Sequence, residues 1–206
     1  MRLFSIRPGL TLRGRKFKGI RGWAGKPSHP PLTDFPIVCL VLAAVFDVIS
    51  FVAEEGTPVA RDYFVAATFV LVAGQIIALL TAITGFWDWW KGLERDRSSG
   101  PIGRAMHTQV WRTVNWHAIV MVTAVVVNLV NILTRLADFD VAGATGLNLV
   151  LSLLGAGIIA LGATYGGSLV YDYQFNVESL KGSTAWDETE VDQLPGDRSR
   201  PQPPPA

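Results

Sequence analysis

Four unbroken apolar stretches, at about 35–53, 63–86, 113–134 and 142–171, constrain this chain more than any motif it carries. Each is long enough to cross a bilayer as a helix, which takes roughly 20 mostly apolar residues. Hydrocarbon offers no partner to backbone N–H and C=O groups, so a spanning segment has to satisfy its own. Runs this long and continuous suit helices rather than the short alternating strands of a barrel. The fold class expected is therefore all-α, an integral membrane four-helix bundle with short loops. Hydrophobic residues make up 50% of the 206 and charged residues still 17%, which fits apolar spans with charged ends.

Charge along the chain sets its sidedness. Before Asp34 there are eight basic residues and no acidic one, whereas after Tyr171 there are three basic residues against seven acidic. The 87–112 connection holds Lys91, Arg95, Arg97, Arg104 and Arg112, while 54–62 holds Glu54, Glu55 and Asp62 against Arg61. Lys and Arg collect on the cytoplasmic side, so both termini and the 87–112 loop are expected there. Three regions follow: a basic arm at 1–33, a four-span domain at 34–175, and a tail at 176–206 that is acidic and then proline-rich. The tail has too few apolar residues to bury anything and is expected to be disordered. The arm has no apolar run of signal-peptide length, so no cleaved leader is expected. Its charge suits anionic lipid head groups, and no nucleic-acid partner is called for. Cys39 is the only cysteine, so no intrachain disulfide can form.

Depth can be counted at 1.5 Å per residue from the ends of the spans. On that count His29 and Asp34 sit just before span 1, Asp88 just after span 2, and His117 a few residues into span 3. Gly166, Gly167 and Tyr171 close span 4 at the same level. A second polar layer lies deeper, where Asp47 is the only acidic residue inside a span and Gln75 reaches a similar depth. An intramembrane carboxylate costs about 2.5–3.5 kcal/mol on insertion scales, so Asp47 should face the bundle interior. The simpler expectation is that it is protonated or hydrogen-bonded to Gln75 and clamps two helices; the sharper one is a proton or ion relay. Span 4 is rich in small residues, and Gly162–Gly166 has the GxxxG spacing that lets helix backbones approach closely. Packing inside the bundle is the first reading of it, with room for a flat cofactor or a homodimer seam second.

The same residues carry a resemblance. The run Lys26-Pro27-Ser28-His29-Pro30-Pro31-Leu32-Thr33-Asp34-Phe35-Pro36-Ile37 resembles the opening signature of a bacterial four-span membrane family, a domain of unknown function. Asp47, Thr84-Gly85, Asp88-Trp89, Arg112, His117 and Gly166-Gly167-Ser168-Leu169-Val170-Tyr171 extend the match over about residues 26–177. The family pattern has Asn four residues after the span 3 histidine, where this chain has Met121. Some relatives carry a Rieske-type iron–sulfur domain. This chain cannot hold that cluster, which takes two cysteines and two histidines. The resemblance thus implies a redox neighbourhood without a Rieske centre.

His29, Asp88 and His117 in one layer are candidate metal ligands, and His29, His117, Gly166 and Gly167 are candidate cofactor contacts, with haem b as the cofactor. His107 is an alternative partner of His117. The ten residues between them turn it about 80° off the same helical face, and no HxxxH or ExxH spacing is present. The plainer reading has His29 and His117 hydrogen-bonded to Asp34, Asp88 or backbone carbonyls, tying helix ends together. No nucleophile–base pair, phosphate loop or HExxH site appears, so no enzyme is expected. The sequence therefore points first to a structural or accessory membrane subunit, self-associated or in a redox complex. A b-type haem or metal protein using His117 with His29 or His107 comes second, and a small transporter using Asp47 third.

Overall fold

The computed structural model describes residues 20, 27–97, 109–136, 139 and 143–175, the side chains of 92–97 excepted. Four α-helices make up the fold: α1 His29–Val52, α2 Pro58–Arg97, α3 Gln109–Leu136 and α4 Gly146–Tyr171. All four are long and apolar enough to cross a membrane. Large apolar side chains such as Phe35, Phe69, Ile83, Val122 and Val150 point outward and stay exposed. A surface of that kind belongs against acyl chains rather than water.

Helix ends differ from the hydropathy bounds for local reasons. α1 starts at His29, six residues before the apolar run, because proline needs no hydrogen-bond partner for its nitrogen in a first turn and Pro30 and Pro31 sit there. His29 is therefore helical and not on a loop. α2 starts at Pro58 behind Thr57, whose hydroxyl accepts the Ala60 N–H at 3.3 Å, and Gly56 supplies the left-handed residue (φ +79°) that the turn requires. It then runs to Arg97, so the first part of the expected 87–112 loop is helix. Its 40 residues extend about 60 Å, roughly twice the hydrocarbon thickness. α4 starts at Gly146 rather than 142, where Thr145 and Asn148 form a reciprocal capping box.

The helices form a ring in chain order. α1 packs most extensively on α2 and α3 on α4, while α1–α4 and α2–α3 close the square, with α2–α3 the thinner seam. At the proximal end α1 and α3 begin and α2 and α4 finish. Three apolar clusters line the axis: Trp111, Val114 and Leu169 proximally, then Leu40, Ala124 and Ile159, then Ala43, Ala67, Leu71 and Ile132. Close approach is bought by small residues, as at Gly74, where an added Cβ would stand 2.7 Å from the Cys39 Cβ. Pro36 lies inside α1 and cannot donate to Leu32 O, and the Thr81 hydroxyl of α2 reaches that carbonyl at 3.1 Å.

Candidate functional site

Two polar clusters interrupt the apolar interior, and both join α1 to α3 across the diagonal of the ring. On α1, His29 and Asp47 are 18 residues apart; on α3, so are His117 and Arg135. Eighteen residues are five turns of about 3.6 residues, so each pair shares one helix face about 27 Å apart along the axis. α1 and α3 thus meet as imidazole with imidazole at the proximal end and as carboxylate with guanidinium at the distal end.

The imidazole centres of His29 and His117 stand 6.4 Å apart with their planes at 83°. Nδ1 of His29 lies 3.0 Å from the Thr81 carbonyl oxygen and 3.3 Å from the Thr84 hydroxyl. Nδ1 of His117 lies 2.9 Å from the Gly162 carbonyl oxygen. A carbonyl only accepts, so in both rings Nδ1 carries a hydrogen, and in the neutral imidazole Nε2 then keeps its lone pair. The rings lean on glycines of the other two helices. A Cβ on Gly85 would come within 2.6 Å of His29 Cε1, and one on Gly166 within 3.1 Å of His117 Cε1. Met121, one turn beyond His117, fills the space left by Gly162.

Of the residues expected to bind a cofactor, His29, His117 and Gly166 come together. A Cβ on Gly167 would meet nothing within 4 Å, so that glycine is not part of the cluster. The expected His29–Asp88–His117 triad is not assembled, since no three His, Cys, Asp or Glu side chains gather among the described residues. Asp88 lies three residues past Gly85 on α2, buried, and accepts a hydrogen bond from the Ile20 backbone. The Ser28 N–H in turn donates to Ile20 O at 3.0 Å, so Ile20 is fastened at that end. Among the ties considered for the histidines, the backbone carbonyls are the ones found; Asp34 is exposed. His107 lies outside the described residues. Trp89 Nε1 donates to Asn115 Oδ1 at 3.0 Å and stitches α2 to α3 beside the pair.

The distal cluster corrects the expected Asp47–Gln75 clamp. Asp47 accepts hydrogen bonds from the Arg135 guanidinium and the Ser152 hydroxyl, and both charged side chains are fully buried. Arg135 also donates to Asn131 Oδ1 at 3.0 Å and Thr68 Oγ1 at 3.2 Å, and its guanidinium lies 5.0 Å from the Phe64 ring centre. Gln75 instead accepts from Asn128 Nδ2 at 2.8 Å. In the sequence Arg135 stands only as the charged residue that closes an apolar run. The signal for its real place was the five-turn spacing to His117, matched by Asp47 and His29 on the other span. Beyond this cluster Ser50 ties the end shut, donating to Ala60 O at 2.6 Å and accepting from Ala144 N at 2.9 Å.

A ring of four lipid-facing helices with its polar groups turned inward defines a multi-pass membrane protein. The chain belongs to the family described as predicted membrane protein (DUF2231), whose model matches residues 25–179. That span contains all four helices and both polar clusters. No curated protein and no solved structure matches the chain.

Proposed function

We propose that this chain is a membrane-embedded electron-transfer subunit in which His29 and His117 bind a redox metal, free or in a macrocycle. The observation that carries this reading is the pair itself: two imidazoles from diagonal helices, each fixed through Nδ1 to a carbonyl, 6.4 Å apart. Metal-binding histidines are commonly oriented in this way, the second nitrogen donating its hydrogen to a carbonyl while the first keeps its lone pair for the metal. Cofactors in helical bundles are likewise held by side chains on facing helices. The basic arm and the basic residues of 87–112 support an orientation with both termini in the cytoplasm and the histidine pair in the inner leaflet.

The second reading is a metal-free accessory subunit that assembles with other membrane proteins or with itself. Its support is that the Thr81 and Gly162 carbonyls alone give each imidazole a partner, so the pair could serve only to tie helix ends. Transport through Asp47 is less well supported, because its Oδ2 is engaged by both Arg135 and Ser152 and the distal end is fastened by Ser50.

Absorption spectra and metal analysis of the detergent-purified chain separate these readings. The metal-centre reading expects a bound redox metal that is lost in both His29→Ala and His117→Ala. A folded, colourless and metal-free wild-type protein would overturn it in favour of the accessory role.

A further inference from the structure

Resting on the metal-centre reading, we infer that His29 and His117 hold an iron porphyrin of the b type between two crossed imidazoles, rather than a bare ion. The donor set makes the distinction. Among the described residues no third His, Cys, Asp or Glu joins the two histidines. A bare zinc ion takes four ligands, at least three of them from protein. An iron whose four equatorial positions are filled by a macrocycle needs only two more donors, one on each side.

The spacing agrees. Two imidazoles whose Nε2 atoms bind one metal in line at about 2 Å each put their ring centres about 6.3 Å apart; the centres of His29 and His117 are 6.4 Å apart, a separation that admits one iron once both Nε2 atoms turn toward it. At the same level α2 and α4 present Gly85 and Gly166, so at those two positions backbone rather than a Cβ meets the rings. Attachment is non-covalent, because thioether linkage uses a CxxCH motif and the only cysteine, Cys39, packs on Gly74.

The angle between the rings adds a signature. Each plane is set by its own carbonyl bond and its own glycine, and the two planes cross at 83°. Crossed axial imidazoles leave the two iron orbitals available for π interaction nearly equal in energy, whereas parallel ones split them. Ferric iron between crossed rings therefore gives one strongly anisotropic low-spin signal instead of a three-feature rhombic spectrum.

The test uses the full chain purified in detergent from a haem-replete host, with pyridine haemochrome assay, metal analysis and low-temperature electron paramagnetic resonance. The expected result is b-type haem, one per chain, with a low-spin optical spectrum and the single anisotropic feature. His29→Gly and His117→Gly should each lose the low-spin spectrum and regain it on adding imidazole, a rescue that a mere helix tie would not show. Should those variants misfold, Gly85→Ala offers a second test, since it displaces the His29 ring and should change the resonance spectrum; an unchanged spectrum in that variant overturns the assignment. Copper or another ion without porphyrin overturns this inference and leaves the redox-metal reading standing. Neither metal nor porphyrin in the folded protein overturns both, and a rhombic signal overturns the crossed geometry.

Discussion

Single residues here differ sharply in what their replacement should do, and glycines show it best. At Gly85 the atom in the way of a new Cβ is His29 Cε1, the far end of a side chain that can rotate. At Gly74 it is the Cys39 Cβ, which moves only with its backbone. We therefore expect Gly74→Ala to lower stability by about 1–3 kcal/mol, the usual cost of overpacking. Gly85→Ala should change stability much less and act mainly on the histidine pair. Thermal unfolding of both variants in one detergent checks the contrast, and equal losses would contradict it. The Asp47–Arg135 pair invites a second comparison. Removing one member of a buried ion pair leaves a lone charge and costs about 3–5 kcal/mol, whereas replacing both can be nearly neutral. Arg135→Met should thus be strongly destabilised, and Asp47→Leu combined with Arg135→Met should recover much of the loss. A double variant no better than the single would mean the surrounding Ser152, Asn131 and Thr68 bonds matter more than the charges.

Elements were legible where hydropathy alone decides and less so where it does not. The apolar runs marked all four helices, since lipid-facing surface needs little beyond carbon. Their ends were set by groups that hydropathy does not weigh: Pro30 and Pro31 in a first turn, Thr57 and Thr145 as caps, and a polar extension of α2 to Arg97. The interior proline of α1 has a matching consequence on α2. The one hydrogen of Thr81 Oγ1 is shared between Ile77 O at 2.9 Å and, at 3.1 Å, the Leu32 carbonyl that Pro36 leaves without its helical donor, and the Thr81 carbonyl holds His29. Thr81→Val should cost about 1–3 kcal/mol for the unsatisfied carbonyl. Its effect should be smaller in a Pro36→Ala background, where Leu32 O regains a backbone donor. A double-mutant cycle reads this directly, and simple additivity would mean the two positions are uncoupled.

At the scale of the whole molecule, the two diagonal pairs brace the square against shear, one at each end of α1 and α3. The proposed orientation, with both termini in the cytoplasm, has a direct test. In a Cys39→Ser background, the exposed Glu55→Cys should react with an impermeant thiol reagent in intact cells, and Asp172→Cys should react only after lysis. The reverse pattern would move the histidine pair to the outer leaflet. What the sequence alone determined is the solvent: four stretches of this length and apolarity have to be helices in lipid, because nothing else satisfies their backbone there. It also brought His29, His117 and Gly166 to one level, since depth along a helix is a matter of counting residues. What only the tertiary structure decided is which polar groups meet within a level, because that depends on how each helix is turned about its axis. Rotation matched Arg135 rather than Gln75 to Asp47, left Asp88 with Ile20, and crossed the two imidazole planes at 83°.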